Sequence, residues 1–189
     1  MKPLDRKSEI INVAAKLFKV KGYSAVTMRD MAQAMDIKAA SLYNHIKSKQ
    51  EILVLIIIEI AEEFTQVMDE IVQSNAPTIV KLKRIIELHI DITLRNPEAM
   101  ACLNKDWMHL ADDDLAYFVK MREDYETNFR IIIKKGIEDG ELKNLNLDIV
   151  LFSMHATLRN LFLWYGKKKA FSPKLLKETM TEILLNGIV

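Results

Sequence analysis

No Gly or Pro occurs between Gly22 and Pro77, and these are the residues that most readily end a helix or a strand. That stretch is therefore expected to be almost entirely regular structure. Across it, and nearly everywhere else, apolar residues recur every three or four positions, and no segment sustains the alternation of a half-buried strand. The chain reads as all-α. Ile10, Val13/Ala14, Leu17 and Val20 form a first stripe, ended by Gly22. Thr27 caps a second, short helix (MRDMAQAM), with Asp30 in the acidic position of a capping box. A third short helix covers about Ala39 to Ile46. Ser48, with Glu51 three residues on, caps a fourth that runs to about Ser74, and a fifth extends from Pro77-Thr78 to Asn96-Pro97.

The second half continues in the same way. A sixth helix is expected from about Glu98 to Leu110. From the acidic run Asp112-Asp113-Asp114, placed where a helix N-terminus favours negative charge, a seventh carries Phe118, Met121, Tyr125, Phe129, Ile132/Ile133 and Ile137. Gly140 ends it. An eighth runs from about Leu147 to Tyr165 and ends at Gly166. A ninth begins after Ser172-Pro173 and finishes near Gly187. There is no internal repeat and no low-complexity linker; the Lys run at 167–169 flanks a helix end. About nine helices are expected, three of them closely spaced ahead of a larger helical body.

Composition narrows the function. The 189 residues are 50% hydrophobic and 28% charged, enough apolar content for a packed core. The single cysteine, Cys102, excludes a disulfide framework and a cysteine-based zinc site. The longest apolar run, Ile52 to Ile58, is far short of the roughly 20 residues needed to cross a bilayer. The opening MKPLDRKSEI lacks the apolar core of a secretion signal, so a cytoplasmic protein without a membrane partner is expected. His89, His109 and His155 are scattered singly. Asp106 and His109 stand at i, i+3, but the paired Glu and Glu-x-x-His motifs of a di-metal bundle are missing, as is a Gly-rich phosphate loop after a strand. No catalytic set, metal or cofactor is expected, and the chain reads as a non-enzyme.

Charge is unevenly placed. Residues 1–50 carry ten Lys+Arg against four acids, a net of +6, which leaves −5 for the remainder. One end is suited to a polyanion. Within it, residues 27–47 place Met31, Ala32, Met35, Ile37, Leu42 and Ile46 inward. Ala32 is small where two helices would cross, and Ile37 plugs the connection between them. This is the inside pattern of a helix-turn-helix, whose second helix is free to enter a major groove. Its outer side reads Lys38, Ala39, Ser41, Tyr43, Asn44 and His45, followed by Lys47 and Lys49.

From Arg6 to Leu53, through AAKLF, KGY, the Thr27 cap and SLYNHIKSKQEIL, the sequence resembles the N-terminal domain of the tetracycline-repressor (TetR) family of transcription regulators. Asp36 and Ala40 stand where that family usually has Gly, and Ile46 where it has Phe. The resemblance implies a DNA-binding domain at 1–50 and a ligand-binding and dimerisation domain at 51–189. It further implies a homodimer on a palindromic operator, with a small-molecule effector that releases it. It assigns phosphate contacts to Tyr43, His45 and Lys49, and base edges to Lys38, Ala39, Ser41 and Asn44. Arg29, with Lys2, Arg6 and Lys7, would steady the backbone, and Thr27, which caps the second helix, is counted with the DNA-binding residues. LRNLFLWYG followed by FSP is similar to the C-terminal end of members that respond to acyl-CoA thioesters.

In the body, the eighth helix is apolar almost all round and the ninth is amphipathic, so a four-helix dimer interface is expected, with Leu161, Met180 and Leu184 in it. His89, Trp107, Tyr125, Asn128, His155 and Arg159 are candidates for an effector pocket. Arg159 lies in an otherwise apolar run, where it either pairs with an acid on the ninth helix or across the dimer, or anchors a carboxylate or CoA phosphate. A ligand-responsive repressor is the first reading. The alternative is a helical interaction module whose basic N-terminus binds an acidic protein partner, and a salt titration on DNA separates the two.

Overall fold

The computed structural model describes residues 5–165 and 171–189. Lys2, Gly166 and the lysines at 167–169 lie outside the described residues. Those described form ten α-helices and one short 3-10 helix, with no strand among them. They are α1 (Arg6–Lys21), α2 (Met28–Ala34), α3 (Ala39–Leu42), α4 (Lys49–Gln73), α5 (Thr78–Arg95), α6 (Pro97–Lys105), the 3-10 helix (Trp107–His109), α7 (Asp112–Glu138), α8 (Leu147–Arg159), α9 (Leu161–Tyr165) and α10 (Pro173–Asn186). The chain forms two compact units. The first is Met1–Ala61 with Glu98–Val119, and the second is Glu62–Pro97 with Lys120–Val189.

In the first unit the caps do what their chemistry requires. The Asp5 carboxylate accepts from Ser8 N at 2.8 Å and starts α1. Thr27 and Asp30 close a full capping box at α2, with Thr27 N donating to the Asp30 carboxylate at 2.7 Å and Asp30 N to the Thr27 hydroxyl at 3.2 Å. The buried face of α1 differs from the expected stripe. Ile10, Ala14 and Phe18 are buried while Val20 is 81% exposed. The i, i+4, i+8 line through Phe18 prevails because its ring packs edge-on against Tyr23, centroids 5.2 Å apart. Met31, Ala32, Leu42 and Ile46 are buried between α1, α2 and α3, whereas Met35 and Ile37 are only half-buried.

The third helix is shorter than its pattern suggests. It is one turn, Ala39–Leu42, because His45 N and Ile46 N both return to the Leu42 carbonyl (2.9 and 3.0 Å) and close the chain into a turn over 43–45. Between α2 and α3, Asp36 is left-handed at φ 53°, and Ile37 N folds back onto the Ala32 carbonyl at 3.0 Å.

In the second unit α5 packs against α8, α9 and α10, burying Leu82, Ile85, Ile86 and Ile90. Pro77 offers no side-chain cap to α5. Instead the Glu141 carboxylate accepts from Thr78 N (3.1 Å) and Ile79 N (3.4 Å), an anion seated on the helix N-terminus. The expected eighth helix is divided at Asn160, whose side-chain amide donates back to the Ala156 carbonyl at 2.8 Å, giving α8 and α9.

A left-handed backbone is disfavoured for a residue with a Cβ, although Asp tolerates it better than most. Asp36→Gly is therefore expected to stabilise the fold by about 0.5–1 kcal/mol, read as an upward shift of the urea midpoint with an unchanged slope. A lower midpoint would show that the Asp side chain contributes more than the strain costs.

Candidate nucleic-acid interface and effector site

The capping box fixes where α2 begins, and the Leu42–Ile46 anchor fixes which side of α3 faces solvent. The structure leaves Lys38 and, beyond the buried Leu42, Tyr43, Asn44 and His45 exposed, and Tyr43 shows 56% of its surface. Ala39 and Ser41 are half-buried. Lys38 is the N-cap residue of α3 and its carbonyl accepts from Ser41 N at 2.9 Å. Arg29, on α2, is exposed. A lysine, an aromatic hydroxyl, an amide and an imidazole exposed over 38–45 suit phosphate and base-edge contacts.

Four of the expected contact residues are engaged by the chain itself. Arg6 pairs with Glu9 at 2.7 Å and Lys7 with Glu51 at 3.2 Å. The Thr27 hydroxyl is engaged by Asp30. Lys49 is half-buried. Its ammonium donates to the Tyr23 carbonyl at 3.0 Å and sits 4.2 Å from the centre of the Tyr23 ring.

Tyr23 is the centre of a cluster that the sequence does not reveal. Its hydroxyl donates to Gln50 Oε1 at 2.7 Å, and Gln50 Nε2 donates to the His109 carbonyl at 2.9 Å. The His109 ring stacks on Tyr23 at 5.2 Å, and Tyr23 N donates to Asp106 at 3.4 Å. Burial pushes the carboxyl of Asp106 above its ordinary range and the Tyr23 hydroxyl likewise. The cluster ties the α1–α2 connection to the first turn of α4 and to the 3-10 helix. Asp106 and His109, weighed above as a metal pair, are structural partners of Tyr23.

In the second unit three of the six pocket candidates come together. His89 Nε2 and the Tyr125 hydroxyl are hydrogen-bonded at 2.8 Å, and His155 lies 6.4 Å from His89 and 6.2 Å from Tyr125 between ring centres. Phe64, which the sequence did not single out, completes the group 4.7 Å from His89. Burial, and secondarily His155, hold the His89 ring neutral down to about pH 3. Burial and then the Arg159 charge lower His155. The other three candidates are not part of this ring cluster. Trp107 belongs to the first unit, where it packs on Phe118 at 5.7 Å. Asn128 donates to Asp69 at 2.9 Å. Arg159 is exposed at the end of α8, so its apolar run does not bury it.

Of the interface candidates, Leu161 is buried inside its own chain while Met180 and Leu184 are half-buried. The most exposed large apolar side chains of these two helices are Ile149 (65%) and Phe152 (72%) on α8 and Ile183 (69%) on α10. A groove of about 510 Å³ runs beside them, lined by residues that include Leu161, Trp164, Leu175, Met180 and Ile183.

Two protein-family models match the chain. Residues 10–56 match the model described as bacterial regulatory proteins, tetR family. Residues 75–188 match a tetracyclin repressor-like C-terminal domain. The chain is 22% identical over 185 residues to an HTH-type transcriptional repressor, KstR2, of Rhodococcus jostii, covering 97% of this chain and 91% of that protein. Among solved structures it is similar to the ketosteroid transcriptional regulator KstR2 of Mycobacterium tuberculosis, with a TM-score of 0.91 at 22% identity over 100% of this chain and 97% of that one. It is also similar to AibR in complex with isovaleryl coenzyme A and operator DNA, with a TM-score of 0.79 at 19% identity over 96% and 98%.

The neutral buried imidazole gives stability a definite pH dependence. Unfolding returns the His89 ring from a pKa of about 3 to the ordinary 6.5. Its contribution is fully present above pH 6.5 and is lost as pH falls toward 3, because the unfolded chain binds a proton that the folded chain does not. Between pH 6 and pH 4 this one group lowers the unfolding free energy by about 1.4 kcal/mol per pH unit. Urea melts of wild type and His89→Asn should differ by that slope, and equal slopes would refute the assignment.

Proposed function

The chain belongs to the TetR family of bacterial regulatory proteins, and on that premise we propose that it is a transcriptional repressor that binds a palindromic operator as a homodimer and releases it on binding a small apolar or acyl-CoA-like effector. DNA binding belongs to residues 1–50, braced by Glu98–Val119, and effector binding and dimerisation to the body within 51–189. The observation that carries this reading is the exposed set Lys38, Tyr43, Asn44, His45, presented by a helix-turn-helix whose inner side is buried. Tyr43 and His45 contact phosphates, and Lys38, Ala39, Ser41 and Asn44 meet base edges. Lys49 acts through Tyr23, holding the start of α4, as well as facing the backbone. Arg29 and Arg6 add charge at the flanks. The complex named for AibR, with both isovaleryl coenzyme A and operator DNA, supports an effector of this class.

Dimerisation through α8 and α10 follows from Ile149, Phe152 and Ile183, large apolar side chains on two neighbouring helices that a lone chain leaves in water. A twofold contact makes that face self-complementary, with the half-buried Met180 and Leu184 at its margin. Arg159, exposed beside His155, is positioned to meet an anionic group of the effector.

Two measurements test the reading. On an operator selected from random duplexes, Tyr43→Ala is expected to weaken specific and non-specific binding alike. Asn44→Ala is expected to lower discrimination at one or two positions by about 1–3 kcal/mol each. Wild-type affinity should fall steeply with salt. A chain that ignores DNA but captures an acidic protein would replace this reading with the interaction-module one.

For the dimer, Phe152→Asp places an unpaired charge in an apolar contact and is expected to weaken association at least about a hundredfold, seen as a monomer in sedimentation velocity with helix content unchanged. A variant that still sediments as a dimer would place the interface elsewhere.

A further inference from the structure

The buried stripe of α5 runs Leu82, Ile86, His89, Thr93 at steps of four, three and four, and its last two positions are polar. Thr93 is fully buried and His89 nearly so. Among the described residues, neither Thr93 Oγ1 nor His89 Nδ1 has a hydrogen-bond partner. An unsatisfied buried polar atom costs about 1–3 kcal/mol, and native structures carry few of them. Here two lie one helical turn apart on the same face of one helix. Valine has the shape of threonine and would fill position 93 without that cost. A chain that keeps the polar residue at such a place departs from the local packing rule where departures mark function.

The surroundings define what would satisfy the pair. His89 Nε2 is bonded to the Tyr125 hydroxyl. The phenol is the stronger acid of the two, so its proton is donated to Nε2 and the ring's own proton sits on Nδ1. Nδ1–H and the Thr93 hydroxyl are then two donors, and one carbonyl oxygen has two lone pairs to accept them. Phe64 packs on the His89 ring, the imidazole is held neutral by its burial, and Tyr125 is likewise kept protonated. An uncharged group is favoured there and a carboxylate is not.

We propose that His89 Nδ1 and Thr93 Oγ1 form a recognition point for the carbonyl oxygen of an otherwise hydrocarbon effector. This deepens, and rests on, the reading that the second unit binds an effector. The carbonyl has two sources, a thioester next to an acyl chain or a ketone on an alicyclic body.

Two matched probe pairs distinguish them: octanoyl-CoA against its S-octyl thioether, and 2-decalone against decalin, each pair differing in the carbonyl. Binding to the full-length protein is measured by calorimetry for wild type, Thr93→Val and His89→Phe, with operator binding followed in parallel. Wild type is expected to bind the carbonyl member of one pair about tenfold tighter or more, and that pair identifies the source. Thr93→Val is expected to bring the ratio within about twofold while melting no lower than wild type without ligand, since it removes an unpaired hydroxyl. The assignment is overturned if wild type favours the carbonyl in neither pair, if the preference survives both substitutions, or if ligand-free Thr93→Val melts clearly lower than wild type. Intact operator binding with no carbonyl preference removes only this assignment. Wild type that binds no DNA removes the regulator reading itself.

Discussion

Everything the first unit can present to DNA depends on one small apolar contact, the packing of Leu42 and Ile46 against Met31 and Ala32. All four are buried, and α3 has a single turn of its own. Four residues cannot hold a helix in water, because nucleating a turn is unfavourable and short helices are marginal. The direction in which Lys38, Tyr43, Asn44 and His45 point is thus set by tertiary packing. Ala32 permits the close crossing. The left-handed Asp36, with Ile37 N returning to the Ala32 carbonyl, turns the chain sharply enough to bring α3 back onto α2.

Tyr23 adds a second level of constraint. Its ring stands between Phe18 and His109, its hydroxyl is taken by Gln50, and its carbonyl and ring face hold the Lys49 ammonium. A cation over an aromatic face is worth about 0.5–1 kcal/mol at a partly exposed site. The hydrogen bonds add directionality more than energy, because each replaces one made to water. Lys49 therefore has a structural role whether or not a phosphate also meets it.

Capping and patterning made most of the helices legible. Thr27 with Asp30, Ser172 and the Asn96 stop all act where their chemistry predicts, and Asp36, which stands where the family usually has Gly, takes a left-handed backbone. What escaped the sequence was non-local. Val20 fits the α1 stripe by spacing, yet Phe18 is buried because of Tyr23, beyond the helix. Asp106 and His109 lie more than eighty residues from Tyr23 and Ser24, and no spacing rule links them. Arg159 looked buried from its apolar neighbours, but those neighbours line a helix with one side open in a single chain. His89, Tyr125 and His155 were found as scarce polar residues in an apolar body. Thr93 was not, since a threonine in a helix carries no signal until its partners are counted.

The first unit is assembled from two stretches of chain, one ending at Ala61 and one spanning Glu98–Val119. On a ribosome that adds roughly 5–20 residues per second, the N-terminal helices emerge several seconds before Asp106 and His109 exist to meet Tyr23 and Gln50. The helix-turn-helix face is made well before the segment that braces it. A nascent chain stalled short of residue 119 would carry the letters of a DNA reader without the frame that holds them.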